Sequence, residues 1–387
     1  MEVKSDKVEL RKLYLKAKAG PDWRFHQLYD KVWKEDILLH AWRLTRANAG
    51  SPGVDGVTFV QFESAGLVDW LSGLQEELRA KTYRPQPVRR VLIAKPGGGE
   101  RPLGIPTIRD RVVQTVIKLV IEPIFEAHLD ESAYGYRPRR GAGEAIRKVH
   151  NLLCRGFTAV VDADLSKYFD TIPHDALMKS VARRIVDRHL LRLIKLFLKV
   201  PVEDDEGQGG RRMSGGRQPT RNAPQGGVIS PLLANLYMNR LLKHWRTIGR
   251  DGVWQAQIVS YADDFVILFR HSVVPALKWT HDVLTRLGLV LNEDKTKLCD
   301  ARRERFDFLG FSFGPPCNRK ARRWYLGASP FHKSVQLSQD LLARLAGAWK
   351  YGCQALRLRH FTRSRVLTVQ ASTPPARSVA KRPSHGT

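Results

Sequence analysis

Residues Ile258 to Arg270 read Ile-Val-Ser-Tyr-Ala-Asp-Asp-Phe-Val-Ile-Leu-Phe-Arg, and this stretch constrains the fold more than any other. Two apolar runs rich in β-branched and aromatic residues flank Ala262-Asp263-Asp264. That is the pattern of a buried strand, a tight turn and a second buried strand. The turn therefore holds two adjacent carboxylates at the mouth of an apolar hairpin. Solvent alone could satisfy them, since Asp is common in turns. What separates a solvated turn from a functional one lies elsewhere in the chain.

The elements around the hairpin specify its surroundings. Phe157 to Leu165 is a strand that leaves its apolar run at Asp162 and Asp164, and Asp175 opens a helix reaching about Val200. Ser230 as N-cap with Pro231 at the first helical position starts a helix through Leu233, Leu236, Tyr237, Leu241 and Trp245. A helix over Val274–Leu287 ends at Gly288, Leu289–Asn292 reads as a strand, and Phe306–Phe313 alternates as another. This order predicts an α+β fold of ferredoxin-like type, an antiparallel sheet backed by helices.

Before that unit, residues 1 to about 50 are helical in pattern, with Trp23, Phe25, Leu28, Val32, Trp33, Leu38 and Trp42 as candidate core. Asn48–Gly56, with three glycines and a proline, is a structured loop or a linker, and a helix follows over Phe62–Arg79. Val88–Lys95 and Arg101–Pro106 form a hairpin whose Gly-rich turn is flanked by Lys95 and Arg101. Backbone amides and two cations there suit a triphosphate, and a solvated basic hairpin is the alternative. Thr107 caps an apolar helix on which Arg109, Arg111 and Lys118 lie outside the apolar set. Tyr134-Gly135-Tyr136-Arg137-Pro138-Arg139-Arg140 mixes aromatics and cations as base-stacking, phosphate-gripping loops do, although a structural turn would read the same way. Residues 203–222 read as a mobile polar loop, about Gln336–Arg357 as a basic helix, and 371–387 as disordered.

Charge decides the class of partner. Against 38 Asp and Glu stand 65 Lys and Arg, a formal charge of +27, which implies a polyanion such as nucleic acid. A membrane partner is not indicated, because no run of about 18 apolar residues is present. Four scattered cysteines suggest neither a disulfide scaffold nor a zinc site, and a reducing, cytoplasmic location is expected.

Asp164, Asp263 and Asp264 fall at strand ends of one proposed sheet. Three carboxylates converging there would hold two divalent cations roughly 4 Å apart, the clamp for in-line displacement at phosphorus. Mg2+ fits, with Mn2+ as a substitute, because it completes its shell with substrate phosphates. One ion would activate a primer 3′-hydroxyl and the other would neutralise pyrophosphate. Lys95 and Arg101 would grip the triphosphate, and Lys295 is placed to give pyrophosphate a proton. Together these parts make a polynucleotide polymerase.

The ordered blocks resemble a family. Lys95-Pro96 through Arg101-Pro102-Leu103-Gly104-Ile105-Pro106-Thr107, Tyr134-Gly135-Tyr136-Arg137-Pro138, Asp164 with Phe169-Asp170, Pro224-Gln225-Gly226-Gly227 through Asn235, Tyr261-Ala262-Asp263-Asp264 and Phe308-Leu309-Gly310-Phe311 look like those of bacterial group II intron reverse transcriptase/maturases. The resemblance runs from about Val32 to Phe313. It implies right-hand polymerase fingers and palm, with an amino-terminal extension over 1–80, fingers over 81–156 and the palm over 157–314. A shortened, helical thumb-like region over 315–370 and a basic tail over 371–387 would follow. It further implies an RNA-directed DNA polymerase acting on an RNA template (group II intron RNA in this family), a DNA or RNA primer and dNTPs. Asp164, rather than Asp162, matches the first metal-binding aspartate. Phe169 would be the steric gate against ribonucleotides, and Gln225 with Gly226 would line the nascent base pair. Arg109, Arg111, Tyr136, Arg137 and Arg139 are the expected nucleic-acid contacts. Departures are Asn222-Ala223 where the family usually has Gly-Thr, Tyr168 for a common Phe, and the short region after Phe313, which puts splicing in question. A non-catalytic maturase and a retron- or CRISPR-associated enzyme are the competing readings.

Overall fold

A computed structural model of the chain describes residues 4–94, 99–205, 211–214, 226–247, 254–270, 274–315 and 327–330. The chain divides into two compact units, Met1–Phe331 and His332–Thr387, and everything described lies in the first. Lys95, Gln225, the helix expected near Gln336 and the basic tail all lie outside the described residues, as does nearly all of the thumb-like region.

Two four-stranded sheets organise the described unit. The first joins β1 (Val88–Ala94), β2 (Glu100–Ile105), β4 (Val202–Asp205) and β5 (Arg211–Ser214) in the order β2-β1-β4-β5. The second joins β3 (Ala159–Asp164), β6 (Ala256–Tyr261), β7 (Asp264–Phe269) and β8 (Lys297–Asp300) in the order β6-β7-β3-β8, with every pairing antiparallel. Its first and third strands in chain order are central, as the ferredoxin-like expectation requires. Alternation along β3 and β7 divides the core by face. Val161, Ala163, Phe265, Ile267 and Phe269 join the large helical core built on α5 (Ile108–Glu126) and α10 (Ser230–Thr247). Val160, Val266 and Leu268 join a smaller core under α6 (Ala142–Cys154), β9 (Phe306–Phe308) and β10 (Phe311–Gly314).

Several sequence expectations are corrected. The strand expected at Leu289–Asn292 is replaced by β8 a few residues later. Residues 290–292 still lie against the end of β3, where Ser166 N–H donates to Val290 O and Asn292 N–H to Asp164 O, both at 2.9 Å. Residues 203–222 are not all loop, since β4 pairs parallel to β1 and antiparallel to β5. The acidic run of β4 lies between two basic strands: Glu203 and Asp204 oppose Arg89 and Arg90, and Arg211 and Arg212 oppose Asp205 and Asp204. An Arg90–Asp204 ion pair of 3.0 Å fixes that register. The helix expected to reach Val200 is two, α8 (His174–Ala182) and α9 (Arg188–Leu198). Asp187 caps α9 through the N–H groups of His189 and Leu190 and also accepts from Leu28 and Tyr29. The strand over Phe306–Phe313 is a hairpin turning at Leu309 and Gly310, both with positive φ, as a type I′ turn demands. Trp23 is 51% exposed, lying under Lys16 rather than in the core.

Candidate active site

The register of the second sheet brings the aspartates together. Asp164 pairs directly with Asp264, so both side chains leave the same face, and Asp162 lies two residues back on that face. Asp263 sits in the two-residue turn between β6 and β7, after Ala262 at φ 60°. That conformation favours glycine, and alanine holds it against a cost of about 1–3 kcal/mol.

The turn is braced from outside the sheet. Ala133 bridges to Ser260, Tyr134 N–H donates to Ser260 O, and Ser260 N–H donates to Ser132 O. A Cβ on Gly135 would lie 2.7 Å from the amide nitrogen of Ala262, so only glycine lets this loop lie on the turn. Asn235 on α10 donates to Gly135 O at 2.6 Å. The ring of Tyr136 faces that of Tyr261 at 6.3 Å between centroids. Burial, with Asp263 and Tyr261 next in effect, raises the pKa of the Tyr136 hydroxyl.

The carboxylates oppose one another. Asp264 is pushed up to about 7 by loss of solvent around its carboxyl and then by Asp263, Asp164 and Asp162. The residue keeps an exposed surface. Burial and then Asp164 raise Asp263, with Arg101 and Lys295 opposing. Burial and Asp307 push Asp162 up to about 6, although Lys297 pairs with it across β8. Lys295 reaches the cluster directly, its Nζ 2.7 Å from Asp164 Oδ2. That bond, followed by the fields of the three aspartates, raises the Lys295 pKa.

Among the described residues, no three His, Cys, Asp or Glu side chains are arranged as they stand to hold a metal ion. The donor set nonetheless suits a hard divalent cation, being all carboxylate oxygen, and repulsion within it is what such a cation relieves. Lys295 stands against Asp164 as a cation already does.

The other expected site residues divide sharply. Arg101 acts on Asp263, Tyr136 and Asp170, which brings the first hairpin's cation to the aspartate cluster. Phe169 is 5% exposed, edge-on to Tyr168, and Arg139 is exposed without a carboxylate partner among the described residues. Gly226, at φ 106°, comes so close to β2 that a Cβ would meet Gly104 O at 1.9 Å. The backbone of β2 makes that close approach, which a side chain at 226 would block.

Three arginines expected to contact nucleic acid are turned inward. Arg111 is 8% exposed and donates to the carbonyls of Pro106, Ala49 and Ser51, tying the Asn48–Gly56 loop to α5. Arg137 holds Glu126 at 2.7 Å and the carbonyls of Asp130 and Ala133. Arg109 pairs with Glu77, donates to Arg84 O and covers the Tyr83 ring. Residue type and spacing show a cation but not its partner. Sequence reasoning misses Asp110 as a site-positioning group: it is 1% exposed and accepts from Tyr83 Oη and Gln86 N, anchoring the approach to β1. Its place three residues after the Thr107 cap is the available signal, but that spacing suggests only a helix cap.

Residues 93–313 match the family model described as reverse transcriptase (RNA-dependent DNA polymerase). Protein YkfC of Escherichia coli is 33% identical over 377 residues, covering 88% of this chain and 96% of that protein. The putative COX1/OXI3 intron 1 protein of Saccharomyces cerevisiae is 26% identical over 86% of this chain, which spans 36% of it. The group II intron-encoded protein LtrA of Lactococcus lactis is 31% identical over 60% of this chain and 37% of its own length. The chain thus spans nearly all of the first relative and little more than a third of the two intron proteins.

Proposed function

We propose a function from one premise: the chain belongs to the reverse transcriptase (RNA-dependent DNA polymerase) family. It is read as an RNA-directed DNA polymerase of group II intron type, adding dNTPs to a primer 3′-hydroxyl on an RNA template. The observation that carries this reading is the register-paired Asp164 and Asp264 with Asp263 beside them, carboxylates that repel one another, and Lys295 against Asp164.

Asp164, Asp263 and Asp264 would hold two Mg2+ ions, or Mn2+ in their place. When bound, such ions lower the pKa of a 3′-hydroxyl and neutralise the leaving pyrophosphate. The protein's own groups supply the rest. Arg101, already within electrostatic reach of Asp263, holds the triphosphate together with Lys95. Lys295 keeps its proton through its bond to Asp164 and can pass it to pyrophosphate once that bond opens. Phe169, held in the core by Tyr168, presses on the sugar 2′ position and excludes ribonucleotides. Gln225 and Gly226 face the nascent base pair, with Gly226 fixed against β2. Tyr136 and Arg139 meet the template strand beside the turn.

Primer extension on an RNA template with Mg2+ and dNTPs tests the reading. Wild type extends, and Asp263→Ala/Asp264→Ala loses roughly 10³-fold in rate. Equal extension by the two proteins would end it. If the protein only assists splicing, as the intron-derived names of its relatives allow, intron excision survives that double substitution.

A further inference from the structure

A second cationic site lies where the carboxyl end of α4 (Leu67–Arg79) meets α9, and it shares no residue with the aspartate cluster. Tyr29, Lys81, Tyr83, Arg84, His189 and Arg192 line a cleft there. Lys81, Arg84 and Arg192 are exposed, while the two tyrosines are buried. Tyr29 and His189 face one another at 5.5 Å, so the rings serve as a wall and are not free to stack a base. The cleft's volume of about 20 Å3 admits a group the size of a water molecule or a phosphate oxygen, and nothing as large as a nucleobase.

Neither Lys81 nor Arg192 has a carboxylate partner among the described residues. The acid that acts on His189 is Asp187, whose oxygens are already taken by the N–H groups of Leu28, Tyr29, His189 and Leu190. Glu77, one turn away on α4, is engaged by Arg109. Arg188 donates to His189 Nε2 at 3.2 Å, so a further cation stands beside that ring.

The backbone supplies a second, independent sign. Lys81 lies two residues past the end of α4, after the C-cap Ala80, with φ 63°, the helix-ending position that glycine fills most cheaply. A lysine held there against strain places an ammonium group at the cleft's edge. Arg84 stiffens the same turn by donating to the carbonyls of Lys81, Thr82 and Tyr83, the last at 2.8 Å.

We propose that this cleft binds a phosphodiester group of an RNA strand, gripping the backbone away from the polymerase site through Lys81 and Arg192, with Arg84 holding the turn that carries Lys81. It reads charge and not sequence, so its loss weakens all RNAs alike.

The test is fluorescence anisotropy of the full chain with a short, 5′-labelled, mixed-sequence single-stranded RNA across a salt series. Lys81→Gly/Arg192→Gln is expected to bind about tenfold more weakly. Its log K against log salt slope should be shallower by about 0.7 for each phosphate no longer neutralised. Lys81→Gly alone separates binding from folding: relief at φ 63° raises the melting temperature while RNA affinity falls. Unchanged affinity and slope in the double variant overturns the proposal, whatever the melting temperature does. Primer extension by the same variants at saturating RNA should match wild type. The Asp263→Ala/Asp264→Ala protein should bind the labelled RNA normally, so the polymerase reading can fail while this one stands.

Discussion

The arginines packed around α5 and the aspartates at the β6–β7 turn sit in opposite electrostatic conditions. Arg109, Arg111 and Arg137 each spend their donors on carbonyls or a carboxylate within the fold. Burial and neighbouring aspartates instead raise the pKa of Asp263 and of Asp264, and the exposed Lys295 lies against Asp164. A satisfied charge is a structural clamp, whereas a frustrated one marks a place where the fold gives up stability for a ligand still to come. In a chain with so large a positive charge, the abundant cations are the obvious functional candidates. Yet the scarcer carboxylates show the clearer signature.

The contrast can be broken at either end. The largest effect is expected from Arg137→Ala, which leaves Glu126 without its ion pair and should cost about 3–5 kcal/mol in urea unfolding, while the carbonyls of Asp130 and Ala133 keep donors in Ala133 N–H and Arg140. The salt slope of RNA binding should stay as it was, because the Arg137 donors are engaged within the fold. Asp264→Asn should act in the opposite direction. It removes one of the opposed charges and should stabilise the metal-free protein by about 1–2 kcal/mol at alkaline pH while extension is lost.

The same cluster sets a pH dependence. Asp264 keeps its proton up to about pH 7 in the folded protein, and the unfolded chain releases it near the ordinary 3.8. The folded state therefore holds more protons between those values, and stability falls as pH rises through that window. Solvent at Asp264 reduces the change to about 1 kcal/mol, and chemical unfolding without divalent ions at several pH values should show it. A flat profile would mean that the carboxylates are not opposed. The smallest effect is expected at the support: Tyr168→Phe frees Ala234 O from its 2.7 Å bond and should cost about 1 kcal/mol without changing extension.

How much of this is legible in the sequence depends on whether the signal is local. The Asp-Asp hairpin, the strand ending at Asp164 and the hairpin flanked by Arg101 each announce themselves by apolar runs and turns. Their order alone implies the antiparallel sheet that brings Asp164 opposite Asp264. Partners distant in sequence are not legible. Nothing near Arg111 says that Ala49 and Ser51 supply its acceptors, and nothing in Glu203-Asp204-Asp205 says that Arg89 and Arg90 will make it a strand. Asp187 escapes notice for a related reason, because a helix continuing past Val186 satisfies periodicity equally well. The residues after Leu291 show a limit of pattern itself, since the apolar run touches β3 while the ladder resumes only at Lys297.

The repulsion among Asp164, Asp263 and Asp264 is, on the reading proposed above, a divalent-cation site awaiting its ions. Thermal unfolding at pH 8 with and without Mg2+, on wild type and on Asp263→Ala/Asp264→Ala, tests it most directly. A ligand bound by the folded state alone raises stability by RT ln(1 + [L]/Kd), so wild type should gain in melting temperature as Mg2+ rises. The double variant should start higher and gain nothing. An equal gain in both proteins would contradict the assignment.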